Sequence, residues 1–92
     1  MILEIVSPEA TLLHTEVSDV RVPGVNGDFQ LLNNHAPIVS LLTEGTVSFK
    51  GDSVRIEPAF ESRFVHEKGT YTLPINSGTI EVNANKVIIL AD

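Results

Sequence analysis

The stretch Val17-Ser18-Asp19-Val20-Arg21-Val22-Pro23-Gly24-Val25-Asn26-Gly27-Asp28-Phe29-Gln30-Leu31-Leu32 decides the fold class. In the strand Val17–Val22, Val20 and Val22 fall on one side of an extended backbone. Asp19 and Arg21 fall on the other, the period-two mark of a half-buried strand. Pro23 to Gly27 interrupts it, and the Asn26-Gly27 pair suits a tight turn with positive φ. A second strand, Asp28–Leu32, follows. The same punctuation recurs in both directions. Ile2–Val6, stopped near Pro8, and Leu12–Thr15 read as strands. After the loop Asn33–Pro37 comes Ile38–Leu42, expected to be mostly buried. Thr46–Lys50 points Val47 and Phe49 inward. Gly51-Asp52 is expected to be a hairpin turn into a strand with Val54 and Ile56 on one side and Arg55 and Glu57 on the other. Phe60–His66 alternates with Phe60 and Phe64 inward, and Lys68-Gly69 turns it back into Thr70–Ile75. Ile80 and Val82 flank Glu81, Asn83–Lys86 is the last turn, and Val87–Leu90 closes the chain.

Val, Ile and Thr dominate, strong helix formers are sparse, and no window of ten residues forms an amphipathic helix. About ten short strands in so short a chain predict an all-β domain: a flattened ten-stranded β-sandwich of two packed sheets spanning residues 1–92.

Composition narrows the function. A chain of 92 residues buries only about 60–65% of its unfolded surface, so the core is thin. Aromatics are 5% of the chain, which leaves aliphatic side chains to fill that core. The net charge of −6 argues against nucleic acid and against anionic lipid surfaces, both of which need clustered Lys and Arg. The N-terminus, Met1-Ile2-Leu3-Glu4, lacks the basic start of a signal peptide. No apolar run approaches the roughly 20 residues of a membrane-spanning helix, so direct membrane insertion is not expected. The absence of cysteine leans toward a reducing compartment.

No catalytic pattern emerges. His14, His35 and His66 share no metal-ligand spacing, and His14 and His66 read as surface or loop residues. There is no Gly-x-Ser-x-Gly elbow and no cysteine nucleophile. The carboxylates lie mostly at alternating outward strand positions, a solvated polar face rather than an acid–base pair. Gly24-Val25-Asn26-Gly27 lacks the Lys-Ser/Thr ending and following helix of a phosphate loop. No cofactor and no metal are expected, and what remains is a surface.

Three blocks carry a family likeness. The first is Leu3-Glu4-Ile5-Val6-Ser7-Pro8-Glu9. The second is Val22-Pro23-Gly24-Val25-Asn26-Gly27-Asp28-Phe29-Gln30-Leu31-Leu32-Asn33-Asn34-His35-Ala36-Pro37-Ile38-Val39. The third is Gly78-Thr79-Ile80-Glu81-Val82 with Lys86-Val87-Ile88-Ile89-Leu90-Ala91-Asp92. Together these resemble the epsilon subunits of F-type ATP synthases, called delta in mitochondria. The resemblance implies a non-catalytic rotor subunit in the central stalk. It implies docking on the gamma subunit and the polar loops of the c-ring, and only indirect contact with the alpha/beta catalytic assembly. It implies that such a subunit helps couple proton transport to ATP synthesis, as a peripheral protein on the cytoplasmic face of the bacterial inner membrane, or on a thylakoid or mitochondrial inner membrane if organellar. Carried over by position, Asp28, Phe29, Gln30, Asn33, Asn34 and His35 face the c-ring. Ser7, Ile38, Val39, Ser40, Leu41 and Leu42 face gamma.

The sequence departs from the family pattern in three places. Gln30 and Asn33 replace the usual Gly and Pro of the middle block. The region from Gly51 to Ser77 is long and carries Phe60, Phe64 and Tyr71. The sequence stops at Asp92, where most members continue into a C-terminal helical hairpin, so coupling without a helical brake is the expectation. The rival readings are a stand-alone sandwich that binds a ligand or partner through the 33–37 loop, and a small enzyme built from scattered carboxylates.

Overall fold

The computed structural model describes every residue from Met1 to Asp92. Ten strands follow in order: β1 Ile2–Val6, β2 Thr11–Glu16, β3 Asp19–Gly24, β4 Gly27–Leu32, β5 Ile38–Leu42, β6 Gly45–Lys50, β7 Val65–Glu67, β8 Thr70–Ile75, β9 Gly78–Asn83 and β10 Lys86–Ala91. The all-β class and the strand number are as the alternation predicts.

The expected two sheets are one hydrogen-bonded surface, curled over a shared core. Its path is β2-β1-β10-β9-β5-β3-β6-β8-β7, with β4 added beside β3. Halfway along, the ladder between β3 and β5 shrinks to the single pair Gly24↔Leu42. Two bonds flank it: Val25 N–H to Leu41 O at 3.2 Å and Thr43 N–H to Pro23 O at 2.9 Å. Pro23 sits where β3 leaves β6, its partner over Asp19–Arg21, and reaches β5 only at Gly24. A residue without an N–H is tolerated at such a break in the ladder. β1 and β10 pair in parallel, Leu3 opposite Val87 and Ile5 opposite Ile89.

Both halves send alternate residues into one cluster of 20 buried apolar side chains. Leu3, Ile5, Ile80, Val87 and Ile89 come from one half, and Val20, Leu31, Val47, Phe49 and Leu73 from the other. Each such side chain contributes about 1.5–3 kcal/mol of apolar burial, and with few aromatics it is β-branched and leucine packing that holds the domain.

Local chemistry corrects several expectations. Val17 and Ser18 precede β3 rather than begin it; their N–H groups bond Met1 O at 2.9 Å and Lys50 O at 2.8 Å. In the β3–β4 turn the positive φ falls on Gly27 at 119°, not on Asn26. The family-like Gly24 has a packing reason: a Cβ there would lie 2.7 Å from Gly27 O and 2.8 Å from the Phe29 ring. The Gly-x-x-Gly-x-Phe pattern is thus a ring laid over a bare backbone.

Residues 51–67 differ most. No hairpin strand forms after Gly51, although Val54 and Ile56 do pack on the core and Arg55 and Glu57 point outward. The Arg55 N–H donates instead to Thr15 Oγ1 at 3.0 Å. Pro58 then opens a short 3-10 helix, Pro58–Arg63, where a strand was expected. A proline has its φ set for a first helical turn and no N–H to lose there. Phe60 is half-buried and Phe64 buried, the latter edge-on to Phe49 with ring centres 5.9 Å apart.

Candidate docking surfaces

β5 is apolar on the wrong side. Its register sets Ile38 opposite Val82, Ser40 opposite Ile80 and Leu42 opposite Gly78. Ile80 and Val82 are buried, so Ile38, Ser40 and Leu42 share the core-facing side. Val39 and Leu41 therefore face outward, 78% and 60% exposed. The expectation of a mostly buried strand fails for these two residues: among its five only Leu42 is fully buried. A short apolar run does not reveal which alternate residues point inward, and a polar Ser40 on the inner side makes the inversion explicit.

The apolar side of β5 continues across the outer surface. Leu41 lies opposite Thr79, Thr79 opposite Leu90, and Leu90 opposite Val6. The next row is Val39, Glu81, Ile88, Glu4 and His14. Leu90 is 52% exposed and Val25, tied to Leu41 through its backbone, 53%. At the end of this face Val6, Ser7, Pro8, Val25, Leu41 and Leu90 border a shallow groove of about 650 Å³. Ser7 itself is buried, and its Oγ donates to Ala10 O at 3.2 Å. It shapes the groove floor rather than projecting from it. The polar edge of the face carries the one ion pair of the molecule, Lys86 Nζ to Glu4 Oε1 at 3.5 Å. Leu90, Val6 and Val25 belong to this surface although the sequence reading did not single them out. For Leu90 the signal was available in Val87-Ile88-Ile89-Leu90, a strand apolar on both sides.

The residues expected to face the c-ring fall on β4 and the loop after it. β4 bonds only β3, so it is an edge. Asp28, Gln30 and Leu32 point outward, Leu31 is buried, and Phe29 packs partly on the core. Gln30 Nε2 donates to Asp19 Oδ1 at 2.9 Å. Past the strand, Asn33 Oδ1 accepts from the Met1 ammonium at 2.7 Å and the Asn34 N–H donates to Asn85 Oδ1 at 2.7 Å. Asn34 adopts φ 63°, a left-handed conformation that asparagine tolerates. His35 is exposed, its Nδ1 2.8 Å from Ala36 O. Asp28 and His35 are not neighbours. Asp28 is beside the β3–β4 turn, and His35 follows the other end of β4, a strand that runs about 13 Å from Asp28 to Leu32 at 3.3 Å per residue.

No three His, Asp or Glu side chains converge in metal-binding geometry. His14, His35 and His66 lie on β2, the 33–37 loop and β7, and His14 and His66 are exposed, as read from sequence.

Residues 1–92 match the family profile described as ATP synthase, Delta/Epsilon chain, beta-sandwich domain. The ATP synthase epsilon chain of Campylobacter concisus is 34% identical over 90 residues, covering 98% of this chain and 59% of the relative. That of Desulfatibacillum aliphaticivorans is 32% identical over 92 residues, covering 100% and 55%. The epsilon chain of Chlorobaculum tepidum is 31% identical over 90 residues, covering 98% of this chain and 86% of its own. The chain thus spans a little over half the length of the first two relatives. Among solved structures, the mitochondrial ATP synthase central stalk/c-ring of Tetrahymena thermophila shares the fold at TM-score 0.73 and 15% identity, over 99% of this chain and 62% of that one. The Euglena gracilis mitochondrial ATP synthase does so at TM-score 0.75 and 20% identity, over 99% and 49%. With a domain profile matched from end to end and relatives above 30% identity, the chain belongs to the delta/epsilon family of ATP synthase subunits and carries that family's β-sandwich domain.

Proposed function

We propose that the chain is a non-catalytic subunit of the ATP synthase central stalk, docking on gamma through the outer face of β5-β9-β10-β1 and on the c-ring loops through β4 and the 33–37 loop. The inverted strand β5 carries this reading. Val39 and Leu41 expose apolar surface that the fold itself does not use, and exposed apolar side chains gathered around one groove, as Leu41, Leu90, Val6 and Val25 are, mark a protein contact. Gamma seated there would cover Leu41, Leu90, Val6 and Val25 together, within an interface of roughly 1,000 Å² or more. The c-ring contact differs in kind. Asp28, Gln30 and the asparagines offer a polar, acidic edge suited to basic loops. Both Asp28 and His35 touch the ring only if β4 lies along its surface. Through these two contacts the subunit transmits proton-driven rotation, at the cytoplasmic face of the membrane in a bacterial cell.

Co-purification with gamma tests the reading. A complex that persists in high salt is expected, because apolar burial is not screened. Absence of any gamma complex across several salt concentrations would overturn it.

A further inference from the structure

The long region after Gly51 walls an open cleft of about 940 Å³ against β2. β2 and β7 are the two ends of the sheet path, so the cleft lies where the curled sheet stays open. A stack of three rings runs into it from the core. Tyr71 lies parallel to Phe49, with centres 5.4 Å apart at 10°. His66 lies on Tyr71, with centres 3.9 Å apart at 7°. Phe49 is buried, Tyr71 half-buried, and His66 is the exposed end. Glu57 and Glu61 line the same cleft, and both are exposed. Neither takes part in an ion pair, the one pair of the molecule being Lys86 with Glu4. Arg55 also lines the cleft, which leaves two carboxylates against one guanidinium at neutral pH.

We propose that this cleft receives an arginine side chain from an extended segment of a partner polypeptide, its guanidinium stacked on the outer face of His66 at the exposed end of the ring stack and paired with Glu57 and Glu61. A guanidinium is the side-chain group that is both flat enough to stack on a ring and forked to meet carboxylates. A lysine ammonium lacks the plane. A phosphate or carboxylate ligand would meet Glu57 and Glu61 as like charges. The net charge of −6 draws a basic segment toward the molecule. The cleft is larger than one side chain, and half-buried Val54 and Ile56 on its wall suit the apolar neighbours of that arginine. These residues lie outside the gamma and c-ring contacts proposed above.

The test uses the isotope-labelled 92-residue chain and two short peptides, acetyl-Val-Arg-Val-amide and its citrulline counterpart. Citrulline keeps the shape and removes the charge. Saturable NMR shifts at Glu57, Glu61, His66 and Tyr71 are expected with the arginine peptide, and roughly tenfold weaker binding with citrulline, the scale of one charge-assisted pair. Glu57→Gln combined with Glu61→Gln should weaken the arginine peptide by a similar factor and leave the citrulline peptide unchanged. His66→Ala should weaken both peptides, since it removes the stacking surface. Equal binding of the two peptides would overturn the proposal. So would sodium phosphate shifting the same residues more strongly, or no saturable shift by about 10 mM peptide, tenfold above a millimolar dissociation constant.

Discussion

β10 and β6 are equally good core strands and unequal surface strands. β10 buries Val87 and Ile89, and β6 buries Val47 and Phe49. Outward, β10 shows Ile88 and Leu90 beside a single charge, Lys86, while β6 shows only the polar Thr46, Ser48 and Lys50. The inward positions explain why the chain folds. The outward ones differ: β10 adds apolar surface where a partner is expected, and β6 presents a side that water can cover. Stability and docking are therefore written on alternate residues of the same strands, and neighbouring substitutions should separate them.

The largest effect is expected from Ile89→Ala. Ile89 is fully buried, and truncation there should cost about 2–5 kcal/mol, a large part of a small domain's stability. Chemical denaturation measures it. Leu90→Ala, one residue on, should change stability by less than about 0.5 kcal/mol yet weaken gamma binding. Similar destabilisation by both would break the division between the two sides of β10.

Leu41→Asp sharpens the same contrast. The isolated fold should survive, because Leu41 is 60% exposed. Gamma affinity should fall by about a hundredfold, combining ~2 kcal/mol of lost apolar burial with the cost of desolvating a carboxylate. Titration calorimetry against gamma reads this directly, and an unchanged dissociation constant would remove β5 from the interface.

Gly24→Ala should destabilise by about 1–3 kcal/mol through overpacking, since the added methyl meets Gly27 O and the Phe29 ring. Its thermal midpoint checks that Gly24 is there for packing against the Phe29 ring. Ala84→Gly works in the opposite direction. Ala84 and Asn85 form the two-residue turn between β9 and β10 with φ 51° and 60°, where alanine pays for its Cβ. Glycine there should add about 0.5–1 kcal/mol.

The smallest effect concerns the two ends of β4. Asp28→Lys should leave the fold intact and lower proton-driven synthesis modestly, since an exposed charge pair is worth about 0–1 kcal/mol. Comparing it with His35→Ala, in vesicles carrying the reconstituted synthase, shows which end meets the ring.

Strands with strict alternation were legible from sequence, as were the 68–69 and 83–86 turns, because inward and outward residues differ in polarity there. Ile38–Leu42 was placed correctly, but it was expected to be mostly buried and exposes Val39 and Leu41. Four of its five residues are apolar, so composition does not choose a side; only the pairing with β9 does. Residues 51–67 were misread for another reason. Their shape follows from Pro58 and from where Phe49 receives Phe64 and Tyr71, contacts distant along the chain. The resemblance named the residues of β4 and β5 as contact elements. It did not show that Asp28 and His35 are separated by the length of a strand, or that Ser7 is buried.

The single pair Gly24↔Leu42 that joins the halves of the sheet has a mechanical consequence. Val25 and Leu41 flank that seam from opposite sides and both face the proposed gamma contact. A partner gripping them together would hold the seam closed. This narrow join would then be reinforced by the partner that grips it, and the domain would be stiffer bound than free in solution.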